Sequence, residues 1–558
     1  MPTSETLQKT AQLLYPHVTK TLAELELQYP PRQLPPGAYV TRVAPSPTGF
    51  MHIGGIFASL VSRTLAHQTK GIFFLRIEDT DQKREVEGGA AQIINTMNHF
   101  LVSPDEGVVA AGEERGEYGP YVQSHRQEIY STYAKWMVEN DFAYPCFCTA
   151  EELKEISIEQ VRRKVTKGCY GEWAVSRQLT HEQIADKLAQ GMTFVLRVKA
   201  PEARTTVKVR DEIRGSIEFK SNEFDMVLIK SDGIPTYHFA HVVDDHLMRT
   251  THVTRGEEWL ATLPLHAQLF EMLGFPLPVY LHFSHIGKKE GGSTRKLSKR
   301  KDPEAAMSFY AETGYPAESI NEYLLSLASP RFLEWHKDNP EVPYSDFTFE
   351  PKELGKSIVL FDKPKLDFIS KNIISRLSAD EVYRAFSEWA QQFDPEFYEV
   401  LQADQAYATN VMNIEREQEQ PRKDFATWSE FKEGTRYFFD SLLPNGLEYA
   451  AIPEKVTPAD AVAFLELVAA EYTDEATKDV WMSSMRSLAA KVQFAPDGES
   501  FKAAPESYKG QLKHVMAVLR IAITGKKDSP DLYQVMQVMG DQRVASRVAA
   551  AIAYFKKA

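Results

Sequence analysis

Near the start of the chain the spacing of the apolar positions changes twice. Tyr39–Ala44 is a short β-prone run, and the prolines that follow it cannot continue a strand. From His52 onward the apolar residues take helical spacing until Gly71. Ile72–Ile77 is apolar except for Arg76, as expected of a strand buried on both faces of a sheet. The pattern predicts a strand, a loop rich in proline and glycine, a helix and a second strand.

Farther along, strand patterns alternate with helical ones. The predicted strands are Asp225–Lys230, where we expect a parallel sheet to resume, Thr251–Arg255 and Pro278–Phe283. Helical spacing at Thr236–His246 and Glu257–Leu273 separates them. This alternation predicts an α/β fold with a doubly wound parallel sheet, whose ligands bind beyond the C-terminal ends of the strands.

Two other regions have different patterns. Between the two α/β stretches, Thr180 begins a helix with a capping-box sequence that Gly191 ends, and Thr193–Lys199 and Thr205–Phe219 are predicted strands. From Pro303 onward the apolar spacing is helical. The sequence therefore predicts an α/β domain that is interrupted by an insertion and followed by all-α domains.

The composition is that of an ordinary globular protein with several domains. The chain has 558 residues, of which 43% are hydrophobic and 25% charged, and domains of roughly 100–200 residues predict three to five units. Because no apolar run approaches the ~20 residues of a membrane span, we expect no membrane partner. Three cysteines are too few for a disulfide framework, which favours a reducing cytoplasm.

One basic segment contrasts with the formal net charge of −13. Residues 286–302 carry seven Lys or Arg against two acidic residues. The loop that leads into the helix after His52 would present backbone N–H groups at a helix N-terminus, where phosphate can bind. Polyphosphate would bind between these two features, although charge alone does not decide the matter, because net charge is a poor guide to a local basic surface.

Two motifs carry a family resemblance. APSPTGFMHIGG, which begins at Ala44, and KLSKR, which begins at Lys296, resemble the paired signature motifs of class I aminoacyl-tRNA synthetases. APSPTG and the downstream RIEDTD are similar to stretches of bacterial-type glutamyl-tRNA synthetases, and the resemblance runs from about Ala38 to the C-terminus. It implies ATP-dependent ligation of L-glutamate to tRNA(Glu) through glutamyl-adenylate, with Mg²⁺ accompanying ATP. It also implies a cytoplasmic monomer whose partners are tRNA(Glu), L-glutamate and ATP.

The sequence predicts six segments, of which the first comes from an amphipathic pattern outside the resemblance and the other five are implied by the resemblance. They are an N-terminal helical extension (1–37), the first half of a Rossmann-type catalytic domain (38–117), an inserted domain that binds the tRNA acceptor end (118–224), the second catalytic half with the KLSKR loop (225–302), a helical stem-contact domain (303–375) and helical anticodon-binding domains (376–558). We expect the extension to pack on the body of the protein.

Amino-acid activation depends mainly on positioning and charge neutralisation, because the carboxylate attacks the α-phosphorus of ATP while pyrophosphate leaves. By resemblance the catalytic residues are His52, Lys296 and Lys299. The residues expected to bind ATP are His52, Gly54, Gly55, Glu258, Ile286, Lys296, Ser298, Lys299 and Arg300. Without the motifs, His52 would be a capping or surface histidine and the lysines a solvated face.

Glutamate presents an ammonium and two carboxylates, so its site needs an anion and guanidinium donors. The residues expected by resemblance to bind it are Arg42, Ala44, Ser46, Glu78, Tyr237, His241 and Arg255. Arg42 and Arg255 suit the carboxylates, and Glu78 suits the ammonium. His241 replaces an asparagine of the relatives, and its titration would change the KM for glutamate between about pH 6 and 8.

The inserted segment contains a group of cysteines that resembles the zinc knuckle of some family members. The residues concerned are Cys146, Cys148, Cys169 and Tyr170. A structural zinc takes four closed ligands, but the later ligand positions are occupied by Ala174 and Ser176. A zinc site and a metal-free remnant of one both stay open, and the ligand count favours the remnant.

Near the C-terminus, the segment Leu519–Leu532 resembles the anticodon-reading part of bacterial relatives. The expected anticodon contacts are Arg520, Ser529, Pro530 and Leu532. Bases that are splayed from a loop are read by hydrogen bonds and stacking, which suits one arginine beside a small polar turn.

Three alternatives to a ligase specific for tRNA(Glu) are weighed. A non-discriminating enzyme would also charge tRNA(Gln), and a catalytically inactive paralogue would only bind tRNA. A paralogue that modifies a tRNA nucleoside with glutamate would lack the C-terminal helical domains. The intact motifs favour the active ligase.

Overall fold

The computed structural model describes residues 2–202, 205–298, 300–472 and 477–557, so Lys299 lies outside the described residues. The chain divides into two units. The first comprises Met1–Phe309 and Ile320–Asp362, and the second comprises Tyr310–Ser319 and Lys363–Ala558. None of the helices in the described residues combines the length and the apolarity needed to cross a bilayer.

Most predicted elements form within a few residues of their predicted bounds. The helices are α1 (Ser4–Leu14), α2 (Leu22–Gln28), α3 (Ile53–Gln68), α4 (Gly89–His99), α5 (Gln127–Glu139), α6 (Ala150–Arg162), α7 (His181–Ala189), α8 (Tyr237–Leu247), α9 (Leu263–Met272), α10 (Met307–Thr313), α11 (Ala317–Ala328), α12 (Phe332–Asp338), α13 (Lys363–Arg376), α14 (Ala379–Phe393), α15 (Pro395–Ala403), α16 (Gln405–Asn413), α17 (Trp428–Thr435), α18 (Pro458–Glu471), α19 (Lys478–Lys491), α20 (Gly498–Ala503), α21 (Leu512–Thr524) and α22 (Leu532–Phe555). The strands are β1 (Val40–Val43), β2 (Ile72–Leu75), β3 (Glu106–Ala110), β4 (Glu113–Arg115), β5 (Ala143–Cys146), β6 (Val195–Val198), β7 (Thr206–Asp211), β8 (Gly215–Lys220), β9 (Val227–Ile229), β10 (His252–Gly256), β11 (Val279–Phe283), β12 (Ile286–Glu290), β13 (Ser293–Lys296), β14 (Val359–Leu360), β15 (Phe494–Ala495) and β16 (Gly510–Gln511).

Parallel strands form the centre of the first unit. β1 pairs with β2, β2 with β3, and β10 with β11, all in parallel. The N–H of Thr251, directly before β10, donates to the carbonyl of Val40 in β1 (3.0 Å), so β10 lies beside β1. The order β3-β2-β1-β10-β11 is that of a doubly wound α/β sheet, which confirms the predicted fold class.

Two predicted strand positions are wrong. β9 was expected to resume the parallel sheet, but it pairs antiparallel with β6 in the sheet β5-β6-β9. The β7–β8 hairpin, predicted as part of the insertion, joins the parallel sheet through a parallel pairing of Asp211 with Tyr280 of β11. A strand pattern does not identify its partner strand, because tertiary packing decides the pairing.

The N-terminal helices pack against the body of the first unit. Thr10 of α1 hydrogen-bonds His181 at the start of α7 (3.0 Å). Arg32 makes two hydrogen bonds to Glu106 of β3 (2.8 and 2.9 Å), and its guanidinium lies 3.8 Å from the ring centre of Tyr118. The extension therefore contacts both the inserted segment and strand β3 of the parallel sheet.

The second unit is helical around an aromatic-rich core. α14 begins with a capping box at Ser378 and buries Val382 and Phe386, as its spacing predicts. α18 begins with a second capping box, at Thr457. α21 ends at Gly525, whose left-handed φ of 75° suits glycine. The turn between α21 and α22 carries residues predicted to contact the anticodon.

Candidate active site

A cavity of about 540 Å³ lies at the C-terminal ends of β1, β10 and β11. Sheets of this kind bind their ligands at that edge. Most of the residues predicted to bind ATP and glutamate line the cavity. They are Arg42, Ala44, Ser46, His52, Gly54, Gly55, Glu78, Tyr237, Arg255, Glu258, Ile286 and Lys296. The predicted residues that lie outside its lining are His241, Ser298 and Arg300.

His52 caps helix α3 beside the cavity. Its Nδ1 accepts the backbone N–H of Gly55 (3.2 Å). A neutral imidazole that accepts at Nδ1 carries its proton on Nε2. A Cβ at Gly54 would lie 3.0 Å from the His52 ring, so glycine at this position leaves room for the ring. The arrangement combines an N–H donor with a helix N-terminus, both of which suit phosphate.

Lys296 is the last residue of β13 and lines the same cavity. Its Nζ donates to Glu258 (3.1 Å). Burial would raise the pKa of Glu258, but its own backbone N–H and Lys296 outweigh burial and lower the pKa. The N–H of Ser298 donates to Asp302 (2.9 Å), which holds Ser298 in place, whereas Arg300 is exposed. The basic loop therefore reaches the cavity through Lys296.

Buried charges support both Arg42 and Glu78. Arg42 donates from Nε to Asp245 (3.4 Å), and Arg76 donates to Asp245 (2.7 Å) and to Glu78 (2.9 Å). The Arg76 side chain is fully buried. Buried charges persist only where they are paired and hydrogen-bonded. The cluster therefore holds one guanidinium and one carboxylate of the cavity in fixed positions.

Glu78 and Asp245 respond differently to their surroundings. Burial raises the pKa of Glu78 against the opposing charges of Arg76 and Arg42. Burial would also raise the pKa of Asp245, but Arg42 and Arg76 outweigh it, and the pKa is lowered. Asp245 is thus a fixed negative charge. A bound ammonium would favour the ionised form of Glu78.

Arg255 is the second guanidinium of the cavity. It lies near the end of β10, and its Nη1 donates to the hydroxyl of Tyr237 at the start of α8 (3.2 Å). The guanidinium also lies 4.9 Å from the ring centre of Tyr280. Two guanidiniums and one carboxylate in a single cavity match the two carboxylates and the ammonium of an acidic amino acid.

Comparisons with known proteins agree with this chemistry. The family model for class I tRNA synthetases (E and Q), catalytic domain, matches residues 38–346, and an anticodon binding domain model matches residues 497–552. The glutamate–tRNA ligase of Clostridium perfringens (strain 13 / Type A) is 44% identical over 543 residues, which cover 96% of this chain and 99% of that protein. The glutamate–tRNA ligase of Acetivibrio thermocellus is 43% identical over 548 residues, with 97% and 98% covered. The chain belongs to the glutamate–tRNA ligase family of class I synthetases.

Solved structures of the family share the fold. A glutamate tRNA ligase from Elizabethkingia meningosepticum, crystallised in complex with its amino acid, has a TM-score of 0.74 at 28% identity and covers 92% of this chain and 99% of its own. The glutamate–tRNA synthetase of Elizabethkingia anophelis has a TM-score of 0.70 at the same identity. The family match thus extends through both the α/β and the helical parts of the chain.

His241, predicted to contact glutamate, lies behind the cavity wall. It is fully buried, and its Nδ1 lies 3.3 Å from Nη2 of Arg42. Burial, and then the charges of Arg255 and Arg42, lower the pKa of His241 well below its ordinary value. The lowered pKa argues against the expected change of KM between about pH 6 and 8, because it moves the titration of the ring below that range. His241 contacts the guanidinium of Arg42 rather than the cavity.

Sequence reasoning missed several side chains around the cavity. Trp259 lines it, with its ring centre 4.6 Å from that of Tyr237. His285 also lines it and lies 3.5 Å from Glu258. The sequence does indicate that Arg76 is unusual, since it is the only charged residue in the apolar strand pattern of Ile72–Ile77. Nothing in the sequence indicates a role for Trp259 or His285, because the residues around them show no unusual pattern.

The predicted zinc ligands do not form a metal site. In the part of the chain that the structure describes, no group of three or more His, Cys, Asp or Glu residues is placed to hold a metal ion. The Tyr170 hydroxyl donates to the backbone carbonyl of Thr166 (2.6 Å) and is thereby committed away from the cysteines. Cys148 lies 3.6 Å from the hydroxyl of Ser176, and Cys169 lies 3.4 Å from that of Tyr144. The groups next to these two thiols are therefore hydroxyls, whereas a structural zinc site would need further thiolates or imidazoles at those positions.

The predicted anticodon residues lie in the second unit, within the match to the anticodon binding domain. They are Arg520 on α21, Ser529 and Pro530 in the following turn, and Leu532 at the start of α22. Arg422 donates to the carbonyl of Ser529 (2.9 Å) and to Glu415 (3.1 Å). Arg422 therefore contacts the turn that carries Ser529 and Pro530.

Proposed function

We propose that this chain joins L-glutamate to tRNA(Glu) at the expense of ATP, in two steps through glutamyl-adenylate. The observation that supports it most is the content of one cavity: two supported guanidiniums and a carboxylate lie beside the His52-capped helix and Lys296. An acidic amino acid and a nucleoside triphosphate are the pair of ligands that such a cavity suits.

The roles we assign follow from these positions. Arg42 and Arg255 bind the two carboxylates of glutamate, and Glu78 binds its ammonium. His52 and the N-terminus of α3 hold the α-phosphate of ATP, and Lys296 neutralises charge on the leaving pyrophosphate. Lys299, outside the described residues, is assigned to the β- and γ-phosphates by its motif alone. Reaction then needs mainly alignment and neutralisation of charge.

We assign Mg²⁺ to ATP rather than to a protein cage. The carboxylates that line the cavity are Glu78 and Glu258, and each is paired with a cation of the protein. Magnesium commonly keeps several waters and is held largely by substrate phosphates. It would supply charge neutralisation at the phosphates, and the residues of this chain would align the two substrates.

For tRNA we retain the six-segment division as a proposal, with the difference that the β7–β8 hairpin near the end of the inserted segment pairs with β11 of the parallel sheet. The inserted segment 118–224 would hold the acceptor end, and Arg520, Ser529, Pro530 and Leu532 would meet the anticodon. Arg422 is added to that set, because it donates to the backbone of Ser529. A monomeric state and a cytoplasmic location also remain predictions.

The test is charging of purified tRNA(Glu) and tRNA(Gln) with labelled glutamate and ATP. We expect glutamate-dependent charging of tRNA(Glu), and a tRNA-dependent exchange of pyrophosphate into ATP. Charging of both tRNAs would identify the non-discriminating alternative. Absence of both charging and exchange would leave the inactive tRNA-binding paralogue.

A further inference from the structure

A buried carboxylate and imidazole lie behind Arg255, outside the cavity lining. The Nε of Arg255 donates to Nε2 of His282 (2.9 Å), and Nδ1 of His282 lies 2.7 Å from Oδ2 of Asp211. The exposed fractions of Asp211 and His282 are 1% and 0%. Neither residue belongs to the signature motifs or to the proposed substrate contacts.

The partners of His282 determine its tautomer. Arg255 offers only N–H groups, so the ring nitrogen that faces it must carry a lone pair. Asp211 offers oxygens, so the other ring nitrogen carries the proton. Burial lowers the pKa of His282, and Arg255 acts in the same direction against the hydrogen bond from the ring to Asp211. The neutral ring therefore acts as a fixed acceptor for Arg255.

Asp211 in turn is held by four N–H groups. Its Oδ2 accepts from the ring and from the backbone of His282 (2.7 and 3.0 Å). Its Oδ1 accepts from the backbone N–H groups of Ile213 (2.9 Å) and Arg214 (2.8 Å) in the turn of the β7–β8 hairpin. A side-chain amide at this position cannot replace the carboxylate, because its NH₂ end would face donors whichever way it turned.

The consequence concerns the direction of the Arg255 guanidinium. With Nε fixed by His282, Nη1 near Tyr237 and the ring of Tyr280 against it, the guanidinium is restrained at three points. A guanidinium restrained in this way presents its fork to a carboxylate with little loss of conformational freedom on binding.

We propose that Asp211 and His282 are positioning residues for glutamate binding, acting through Arg255. The proposal rests on the function proposed above, in which Arg255 binds a carboxylate of glutamate. It predicts that weakening this support raises the KM for glutamate and leaves the KM for ATP unchanged, because the two ligands use different parts of the cavity.

The experiment compares His282→Gln with His282→Leu in tRNA-dependent pyrophosphate exchange by the full chain. Glutamine can accept from Arg255 through its oxygen and donate to Asp211 through its amide, whereas leucine can do neither. We expect His282→Leu to raise the KM for glutamate about tenfold or more, and His282→Gln to stay within about threefold of the wild type. Asp211→Asn, the second variant, is expected to raise the KM for glutamate as well.

A double-mutant cycle with Arg255→Lys supplies the matched control. Lysine has no Nε–H for His282 to accept, so His282→Leu should have little further effect on the KM for glutamate in that background. A KM for glutamate at the wild-type value in both His282→Leu and Asp211→Asn overturns the inference, as does an equal rise in the KM for ATP. An inactive wild-type chain would instead contradict the proposed function, so the two failures are distinguishable.

Discussion

Substitution of Arg76 is the most informative single perturbation of this protein. It is fully buried, and it donates to Asp245 (2.7 Å) and to Glu78 (2.9 Å), with Asp244 at 3.8 Å. Arg76→Met keeps much of the side-chain length and removes the charge. The substitution leaves three buried carboxylates with fewer cations than they need.

The expected loss of stability follows from that imbalance. Removing one partner of a buried ion pair costs about 3–5 kcal/mol, because the remaining charge has no water to solvate it. At roughly 2 °C per kcal/mol for a unit of this size, the melting temperature should fall by roughly 6–10 °C. The transition to follow is the one that ATP and glutamate raise, since ligands stabilise the unit that binds them.

The substitution should also change the chemistry of Glu78. Burial already raises the pKa of Glu78, and Arg76 is the largest opposing influence. Without Arg76 the pKa rises further, so Glu78 stays protonated at a pH where the wild-type carboxylate is charged. The KM for glutamate should therefore rise in Arg76→Met and should fall again as the pH is increased through the raised pKa.

The assay is pyrophosphate exchange in the presence of tRNA, measured as a function of glutamate concentration and pH. Arg76→Lys is the matched variant, because it keeps the charge and loses the geometry, and it should lose less stability than Arg76→Met. A melting temperature within about 2 °C of the wild type, together with an unchanged KM for glutamate in Arg76→Met, would refute the reasoning.

Three further outcomes are expected. Lys299→Ala should cost about 3 kcal/mol of transition-state stabilisation, as for other charge-stabilising donors, and pyrophosphate exchange at the wild-type rate would contradict the role assigned to Lys299. The contribution of His241 to the KM for glutamate should be flat between about pH 6 and 8, so a profile that differs between wild type and His241→Asn in that range would contradict its neutral state. Treatment with a zinc chelator, followed by restoration of Mg²⁺, should leave the melting temperature unchanged, and zinc found in stoichiometric amount by metal analysis would contradict the ligand count at Cys146, Cys148 and Cys169.

Local features of this fold could be predicted because they depend on nearby residues. The helix after His52 and the capping box at Thr180 form as the sequence predicts. Each depends on interactions within a few residues along the chain. The partner of β9 could not be predicted in the same way, because pairing with β6 depends on contacts between distant segments.

The residues of the candidate site also divide into those that local sequence predicts and those that depend on distant contacts. The residues that line the cavity were predicted through motifs that stand in the sequence as contiguous runs. Their supports were not, because Asp245, His282 and Asp211 come from separate elements and each has the sequence surroundings of an ordinary buried residue. Arg76 is intermediate between the predicted lining residues and the unpredicted supports. A charge in an apolar strand indicates that a buried partner exists, but it does not identify that partner.

Arg42 and Arg255 each donate a hydrogen bond from Nε, but their acceptors differ in charge. Arg42 donates from Nε to the carboxylate of Asp245 (3.4 Å), so a negative charge that it shares with Arg76 lies directly beside it. Arg255 donates from Nε to a neutral imidazole, and the carboxylate of Asp211 lies one ring farther away. Coulomb attraction falls with distance, so the support of Arg255 fixes its direction while leaving more of its positive charge uncompensated. Since an incoming carboxylate responds to that remaining charge, we expect Arg255 to contribute more than Arg42 to the attraction of glutamate.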